Sequence, residues 1–138
     1  HYEPDLVQLP TSVFDQKFER SGLLGELHSR GVEVHVRSVF LQGLVFRDPD
    51  ELPEYFAPVA VLFERFHDDA EKLGRSPLEM ALSYPMRQEA VDKLVVGVES
   101  PEQLSEIVAA AETTPPDNVD WSRYDLKEER WTNPSHWS

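Results

Sequence analysis

The chain has 138 residues, the size of one ordinary domain, and its 40% hydrophobic residues are enough to form a core. Its 26 acidic and 13 basic side chains give a formal net charge of −13, which disfavours nucleic acid and membrane surfaces as partners. Cysteine is absent, which excludes disulfides and thiolate sites and is compatible with a cytoplasmic location. Dense apolar stretches such as Leu94–Val98 are far shorter than the ~20 residues of a membrane-spanning helix.

Short apolar stretches alternate with helical patterns, beginning with a predicted strand at Asp5–Leu9. A helix is predicted at Gln16–Arg30, because its leucines and Phe18 recur at helical spacing. Gly22 and Gly25 weaken the middle of this helix, since glycine costs about 1 kcal/mol relative to alanine in a helix interior.

The second strand–helix unit has the clearest alternation. The strand Val32–Arg37 places valines on one side and charged residues on the other. The loop Ser38–Gly43 leaves this strand, and an exposed, proline-rich turn follows. A helix is then predicted at Pro58–Leu73, where apolar residues again lie on one face.

The third unit begins with a capped helix that starts at Ser76 and is expected to end before Pro85. The next strand, Leu94–Val98, is apolar on both faces, which is typical of a covered parallel strand. A second serine–proline cap at Ser100 opens a helix that runs to Ala111.

This order predicts an α/β fold with a parallel sheet made of three consecutive βα units. Such a sheet alone has unpaired edges and one uncovered face, which is the main physical problem of the chain. We expect residues 1–116 to form these units and residues 117–138 to form a tail. The tail is expected to pack on the rest through its aromatic residues, which are Trp121, Tyr124, Trp131 and Trp137.

Three stretches of the sequence, in this order and spacing, resemble the aldo/keto reductase family. DLVQLPTSVFD, residues 5–15, resembles the sixth strand of that family's barrel. VEVHVRSVFLQGLVF, residues 32–46, resembles the seventh strand and its loop, and KLVVGVESPEQLSEIVAAAE, residues 93–112, resembles the eighth strand and the helix that holds the adenosine phosphate. NPSHW at residues 133–137 is similar to the tail of several bacterial members.

The resemblance implies the C-terminal portion, strands six to eight, of a (β/α)8 barrel that reduces carbonyl groups with NADP or NAD as cofactor. Its partners would be the dinucleotide and a small carbonyl substrate. The family's catalytic Asp, Tyr, Lys and His come from earlier strands, and residues of those types here do not match their motifs. We therefore expect cofactor-binding residues, no catalytic residue, and no activity from this chain alone.

The resemblance assigns the nicotinamide side of the cofactor to the first two strands. Gln8 lies where the family has a glutamine under the nicotinamide ring, and Arg37 lies where many members have a stacking aromatic. Ser38, Phe40 and Gly43 belong to the loop expected to bind pyrophosphate. The alternatives are a polar residue satisfied within a barrel for Gln8 and an ordinary loop for Ser38 and Gly43.

The resemblance assigns the adenosine side to the last unit, through Gly97, Gln103 and Glu106. Gln103 stands where NADPH-preferring members often have an arginine, and Gly97 where some have a lysine, so NADPH against NADH stays open. Ile107 replaces a common asparagine, while Glu106 keeps an acidic residue. Simple helix capping explains the sequence after Ser100 equally well.

Two other points stay open at the level of sequence. The charged side of the second strand, with His35 at its centre, faces either a barrel interior or solvent. A metal site there is not expected, because His35 has no partner at ligand spacing. The alternatives to a reductase portion are a vestigial nucleotide-binding module, or a non-catalytic segment that self-associates or pairs with a complementary chain through its sheet edges. The substrate cannot be named from these residues.

Overall fold

A parallel three-stranded sheet organises the structure. The computed structural model describes residues 4–137, and residues 1–3 and 138 of the predicted domain ranges lie outside the described residues. The strand order is β1-β2-β3, and both neighbours run parallel to β2, so the predicted parallel α/β arrangement is confirmed. The strands are β1 (Leu6–Pro10), β2 (Glu33–Arg37) and β3 (Lys93–Leu94).

The helices fill the connections between the strands and form the C-terminal part of the described chain. Within residues 4–137, no helix is long and apolar enough to span a membrane. The α-helices are α1 (Lys17–Arg20), α2 (Leu23–Ser29), α3 (Ala60–Lys72), α4 (Pro77–Met86), α5 (Pro101–Ala111) and α6 (Glu129–Thr132). Short 3-10 helices occur at Leu44–Phe46, Pro49–Glu51, Glu54–Val59, Trp121–Tyr124 and Pro134–His136.

The prediction of a single helix at Gln16–Arg30 is wrong, because the structure has two helices there, α1 and α2. The break lies at Gly22, whose φ of 84° is left-handed and whose amide donates to the carbonyl of Glu19 at 3.0 Å. Gly22 then serves as the N-cap of α2. Gly31 has a φ of 74° just beyond α2, which is the left-handed conformation that glycine commonly adopts after a helix.

The alternation predicted for the second strand is confirmed. Val34 and Val36 are fully buried, whereas Arg37 is exposed. The valines pack in one hydrophobic cluster with Leu24 and Leu27 of α2, and the same cluster includes residues of α4 and α5. One face of the sheet is therefore covered by helices, as a parallel sheet requires.

The third strand is shorter than predicted. Of the predicted range Leu94–Val98, only the first residue lies in β3, although the Val95 amide still donates to the Val36 carbonyl at 2.8 Å. Val95 is 44% exposed and Val98 is 42% exposed, so the expectation of two covered faces is also wrong. The reason is that β2 ends before Ser38, whose φ of 58° turns the chain away and leaves residues 96–98 without a neighbouring strand.

The expectation that the helix after Ser76 ends before Pro85 is wrong as well. α4 continues to Met86, with Pro85 in its last turn. A proline there removes one helical hydrogen bond close to the helix end, and the Arg87 amide still reaches the Ser83 carbonyl at 3.1 Å. Burial of the helix from Met80 through Pro85 offsets that loss.

A second, aromatic core lies beside the sheet and joins the loops, α3, α4 and the tail. Phe14 stacks on Phe63 with ring centroids 4.3 Å apart, and Phe66 meets Tyr124 edge-on at 5.6 Å. Trp131 of the tail also belongs to this buried cluster. Residues of the tail are therefore part of the core and not a free extension.

Polar contacts hold the tail against the segment after β1. The Gln16 side chain donates to the carbonyls of Val13 at 2.8 Å and Trp121 at 2.7 Å. Asp125, which is buried, accepts from the Gln16 backbone amide at 3.3 Å and forms an ion pair with Arg20. The contacts with Trp121 and Asp125 join residues more than a hundred positions apart.

The other face of the sheet carries charged and polar side chains. His35 Nε2 lies 2.7 Å from Glu33 Oε1, and Lys93 Nζ lies 3.9 Å from the same oxygen. Gln8, which is paired with His35 in the register, is exposed on this face, and Leu6 is also exposed. Glu33 therefore contacts His35 and the Lys93 cation on this face, whereas Arg37, on the same side of β2, has its Nη1 3.4 Å from Ser38 Oγ.

The N-terminus of α4 offers a direct test of local stabilisation. The Glu79 amide donates to Ser76 Oγ at 3.1 Å, and the Ser76 amide reaches Glu79 Oε1 at 3.4 Å, so the predicted capping box is confirmed. We expect Ser76→Ala to lower the free energy of unfolding by about 1 kcal/mol in urea titrations. The control Ser105→Ala, at an exposed position inside α5, should leave stability equal or slightly higher. Equal stabilities of Ser76→Ala and the parent would contradict this.

Candidate functional site

A groove of about 720 Å³ lies between the loop after β2, the segment after β3 and the first turns of α5. Its size is within the roughly 300–1,000 Å³ range of small-molecule sites. It lies at the carboxyl ends of the strands, where barrel enzymes bind their ligands. The predicted cofactor residues that line the groove are Ser38, Phe40, Gly43, Gly97, Gln103 and Glu106.

The loop after β2 forms one wall in a left-handed backbone conformation. Ser38, Leu41 and Gln42 have φ values of 58°, 47° and 56°, and Gly43 follows with 82°. Each non-glycine residue in this region costs roughly 1–2 kcal/mol. Only Gly43 takes this conformation without penalty, so the surrounding packing must hold the other three.

Part of the hydrogen-bonding capacity of this loop is used internally. The Leu41 amide donates to the Ser38 carbonyl at 3.1 Å, and the Gly43 amide donates to the Phe40 carbonyl at 2.9 Å. The amides of Leu41 and Gly43 are therefore already hydrogen-bonded within the loop. Within the described residues, the loop amides without an acceptor are those of Val39, Phe40 and Gln42.

The N-terminus of α5 forms the opposite wall. Ser100 Oγ accepts from the Gln103 amide at 3.1 Å, and the Ser100 carbonyl accepts from the Leu104 amide at 3.2 Å. The side chain of Gln103 turns back and accepts from the Glu99 amide at 2.7 Å. Gln103 is therefore a capping residue as well as a lining residue, and its side-chain oxygen is already occupied.

Apolar side chains form the floor and one end of the groove. The rings of Phe40 and Phe46 lie 5.0 Å apart, and Ile107 of α5 lies opposite in the lining. Leu78 reaches the groove from α4. Sequence reasoning missed Phe46 and Leu78. Phe46 could have been suspected from the sequence, because it is an aromatic residue shortly after Gly43 in the same loop. Leu78 could not, because only the packing of α4 brings it to the groove.

The glycines of the lining leave room for a ligand. No heavy atom lies within 4 Å of where a side chain would begin at Gly43 or Gly97. Together with the volume of the groove and its apolar aromatic side chains, this open space is compatible with a dinucleotide lying against the backbone. The residues present are compatible with the cofactor that the sequence predicts.

Two predicted site residues lie outside this groove. Gln8 is exposed near the middle of β1, on the open face of the sheet. Arg37 lines a smaller adjoining cavity of about 230 Å³, and its Nη1 lies 3.4 Å from Ser38 Oγ. Ser38 lines both cavities and connects them. The structure therefore brings six of the eight predicted residues together and leaves Gln8 and Arg37 beside them.

Comparison with known proteins identifies the family. The model of the aldo/keto reductase family matches residues 1–129. The chain belongs to the aldo/keto reductase family. It is 28% identical over 126 residues to a pyridoxal 4-dehydrogenase from Microbacterium luteolum, a match that covers 88% of this chain and 33% of the relative. The chain thus spans about a third of that relative's length.

Solved aldo-keto reductase structures share the fold. The holo form of AKR11C1 from Bacillus halodurans superposes with a TM-score of 0.68 at 25% identity, over 86% of this chain and 41% of that one. Its apo form gives a TM-score of 0.70 at 24% identity, over 90% of this chain and 43% of that one. The three parallel strands of this aldo/keto reductase chain therefore correspond to part of a TIM barrel.

Two tyrosines with a raised pKa lie away from the groove. Burial, with Glu19 as hydrogen-bond acceptor, raises the pKa of the Tyr84 hydroxyl. Burial and the hydrogen bond to Asp69 at 2.7 Å likewise raise the pKa of Tyr124. Both tyrosines belong to the aromatic core. In the described part of the chain, no group of three or more His, Cys, Asp or Glu residues is arranged to hold a metal ion.

The smaller cavity contains one carboxyl group with a raised pKa. Asp15 is buried, and this desolvation raises its pKa above the ordinary 3.8, with the charge of Asp125 acting in the same direction. Lys17, whose Nζ lies 3.6 Å from Asp15 Oδ2, lowers it and only partly compensates. The folded protein therefore binds the Asp15 proton more tightly than the unfolded chain does.

This shift predicts the pH dependence of an Asp15→Asn variant. The stabilisation from protonated Asp15 is fully present below pH 3.8 and is lost as the pH rises through the folded-state pKa. Asparagine cannot ionise, so the unfolding free energy of Asp15→Asn minus that of the parent should increase between pH ~3 and ~7. Chemical denaturation across this range measures it, with Asp117→Asn at an exposed position as control. A difference that falls with pH would mean that the ion pair with Lys17 dominates.

Proposed function

We propose that this chain is the C-terminal, cofactor-binding portion of an NAD(P)H-dependent aldo/keto reductase that converts aldehydes or ketones to alcohols. It would supply barrel strands six to eight. The observation that carries the proposal is the groove at the carboxyl ends of β2 and β3, in a chain that belongs to this family. The similarity to a protein named a pyridoxal 4-dehydrogenase supports a small carbonyl compound or its alcohol as the substrate class.

The two walls of the groove have different roles in this proposal. The loop wall offers the amides of Val39, Phe40 and Gln42 and the Ser38 hydroxyl to the diphosphate, because these are polar donors at the strand ends. The α5 wall, with Glu106 and Ile107, would contact the adenosine. Arg37, beside Ser38, would interact with the nicotinamide half, since a guanidinium can stack on a flat ring.

The bound cofactor supplies the hydride, and this chain's residues hold and orient it. The proton donor to the carbonyl oxygen would come from the family's tetrad, which lies outside these motifs. Gln8 would contact the nicotinamide carboxamide from β1, where its side chain is exposed at the open sheet face. The chain alone is therefore proposed to bind the cofactor without catalysing the reaction. The cytoplasmic location stays a prediction.

A second candidate is a non-catalytic segment that self-associates or pairs with a complementary chain. The open sheet favours it, because Leu6 at the start of β1 and Val95 directly after β3 are each 44% exposed. An exposed sheet edge with apolar neighbours tends to pair with another chain. The two candidates differ in whether the groove binds a dinucleotide.

The cofactor site can be tested by filling the groove at Gly97. Gly97 lines the groove and has open space where a side chain would begin, so Gly97→Leu should fold normally and reduce NADH affinity by about tenfold or more. Gly25→Leu is the matched control, because Gly25 has the same open space but lies on the exposed side of α2. It should keep the affinity and gain helix stability.

Isothermal titration calorimetry of the 138-residue chain with NADH measures both variants, and thermal unfolding checks that each is folded. No heat of binding to the parent chain would count against the cofactor role. The same would hold if Gly97→Leu bound NADH as well as the parent does.

Self-association can be tested by the mass in solution. If the open sheet face pairs with a second chain, the parent should be larger than a monomer, and Val95→Lys should shift it toward monomer by placing a charge on that face. Val61→Lys, at an exposed position on α3, should leave the mass unchanged. Light scattering after size exclusion gives the masses. A parent that is monomeric at all concentrations would argue against the second candidate.

A further inference from the structure

We infer that the groove rejects a phosphate on the adenosine ribose and therefore selects NAD(H) over NADP(H). This inference rests on the proposed cofactor role of the groove. NAD(H) and NADP(H) share the diphosphate, both bases and both riboses, and differ only in that additional phosphate. Discrimination between them must therefore come from charges and donors that act on the adenosine side.

The charged residues of the groove lining are acidic. Glu99 and Glu106 lie in the lining, near the start and the middle of α5, and no lysine or arginine of the described chain lines the groove. A phosphate monoester carries about −1.5 to −2 charges near neutral pH. Bringing it beside two carboxylates costs free energy, whereas the free ribose hydroxyls of NAD(H) can donate hydrogen bonds to carboxylate oxygens.

Arg37 and Lys93 do not compensate on the adenosine side. Arg37 approaches Ser38 at 3.4 Å, on the loop wall, where it would act on parts that both cofactors share. Lys93 precedes the lining segment but lies on the open sheet face, 3.9 Å from Glu33. Neither cation distinguishes a cofactor with the additional phosphate from one without it.

The helix terminus does not compensate either. The N-terminus of a helix attracts anions through its free amides and its dipole. In α5 the amides of Gln103 and Leu104 are bound by Ser100, and Pro101 has no N–H. In this turn the Glu102 amide is still available to an anion, but the negatively charged carboxylate of the same residue opposes anion binding.

The Gln103 side chain, which the resemblance places where an arginine would meet that phosphate, is already hydrogen-bonded. Gln103 Oε1 accepts from the Glu99 amide at 2.7 Å, which fixes its carboxamide at the helix start. This contact occupies one further backbone donor that an anion would need. The adenosine end of the groove is therefore acidic, and most of its backbone donors are already hydrogen-bonded within the chain. Such a surface suits a neutral ribose.

The test is the ratio of NADPH to NADH dissociation constants, measured by calorimetry on the 138-residue chain. We expect NADH to bind at least about tenfold more tightly, which corresponds to ~1.4 kcal/mol. The double variant Glu99→Gln with Glu106→Gln should strengthen NADPH binding and bring the ratio close to one. Raising the salt concentration should also reduce the ratio of the parent, because screening weakens the repulsion.

The matched control is Glu64→Gln with Glu112→Gln, which removes two charges from exposed positions outside the groove and should leave the ratio unchanged. Equal or tighter NADPH binding by the parent would overturn the inference and leave the proposed cofactor role intact. An unchanged ratio in the Glu99 and Glu106 variant would overturn it too. If neither cofactor binds, the proposed function itself fails and the selectivity fails with it.

Discussion

The parallel pairing of β2 with a strand on each side is the interaction on which the rest of the structure depends. β2 pairs with β1 up to the Pro10–Arg37 pair and with β3 at Val36–Leu94. Because the strands run in the same direction, their carboxyl ends meet at one edge. The loop after β2 and the segment after β3 therefore leave the sheet side by side, and α5 closes the space between them. The groove follows from strand direction, and not from any one residue in it.

Two hydrophobic clusters hold the loop wall in its unusual conformation. Val39 belongs to the cluster under the sheet, and Leu41 belongs to the aromatic core. Phe40, between them, packs against both. Anchoring on both sides explains how left-handed values at Ser38 and Gln42 persist without glycine. The tail contributes from a distance, because its tryptophans complete the aromatic core on which Leu41 rests.

The open face of the sheet combines paired charges with exposed apolar side chains. Its charges are balanced within the chain, since Glu33 contacts both His35 and Lys93. The apolar Val95 and Leu6 nevertheless remain exposed beside them. A face with such exposed apolar side chains is better suited to being covered by further protein than to contact with bulk water. In the proposal, the cofactor-binding wall belongs to this chain, and the proton-transfer residues come from other strands of the family's barrel. The open face is where those strands would close the barrel.

The sequence alone determined the features that depend on near neighbours. The strand–helix order, the valine alternation of β2, the caps at Ser76 and Ser100 and the glycine after α2 all follow from residues within a few positions of one another. The choice of Gly97 and Gln103 as candidates came from the resemblance in the motif of the last unit. Their position in the groove lining then follows, since that motif begins at the carboxyl end of a parallel strand.

Only the tertiary structure decided the features that depend on a distant partner. β3 stops early because β2 has already turned away, which no pattern within Leu94–Val98 reveals. α4 continues through Pro85 because burial outweighs one missing hydrogen bond. Gln8 and Arg37 stand outside the groove because strand pairing fixes their side-chain directions toward the open face and the neighbouring cavity. Local propensity and capping act within a few residues of the chain, whereas register and burial are set only when separate segments come together.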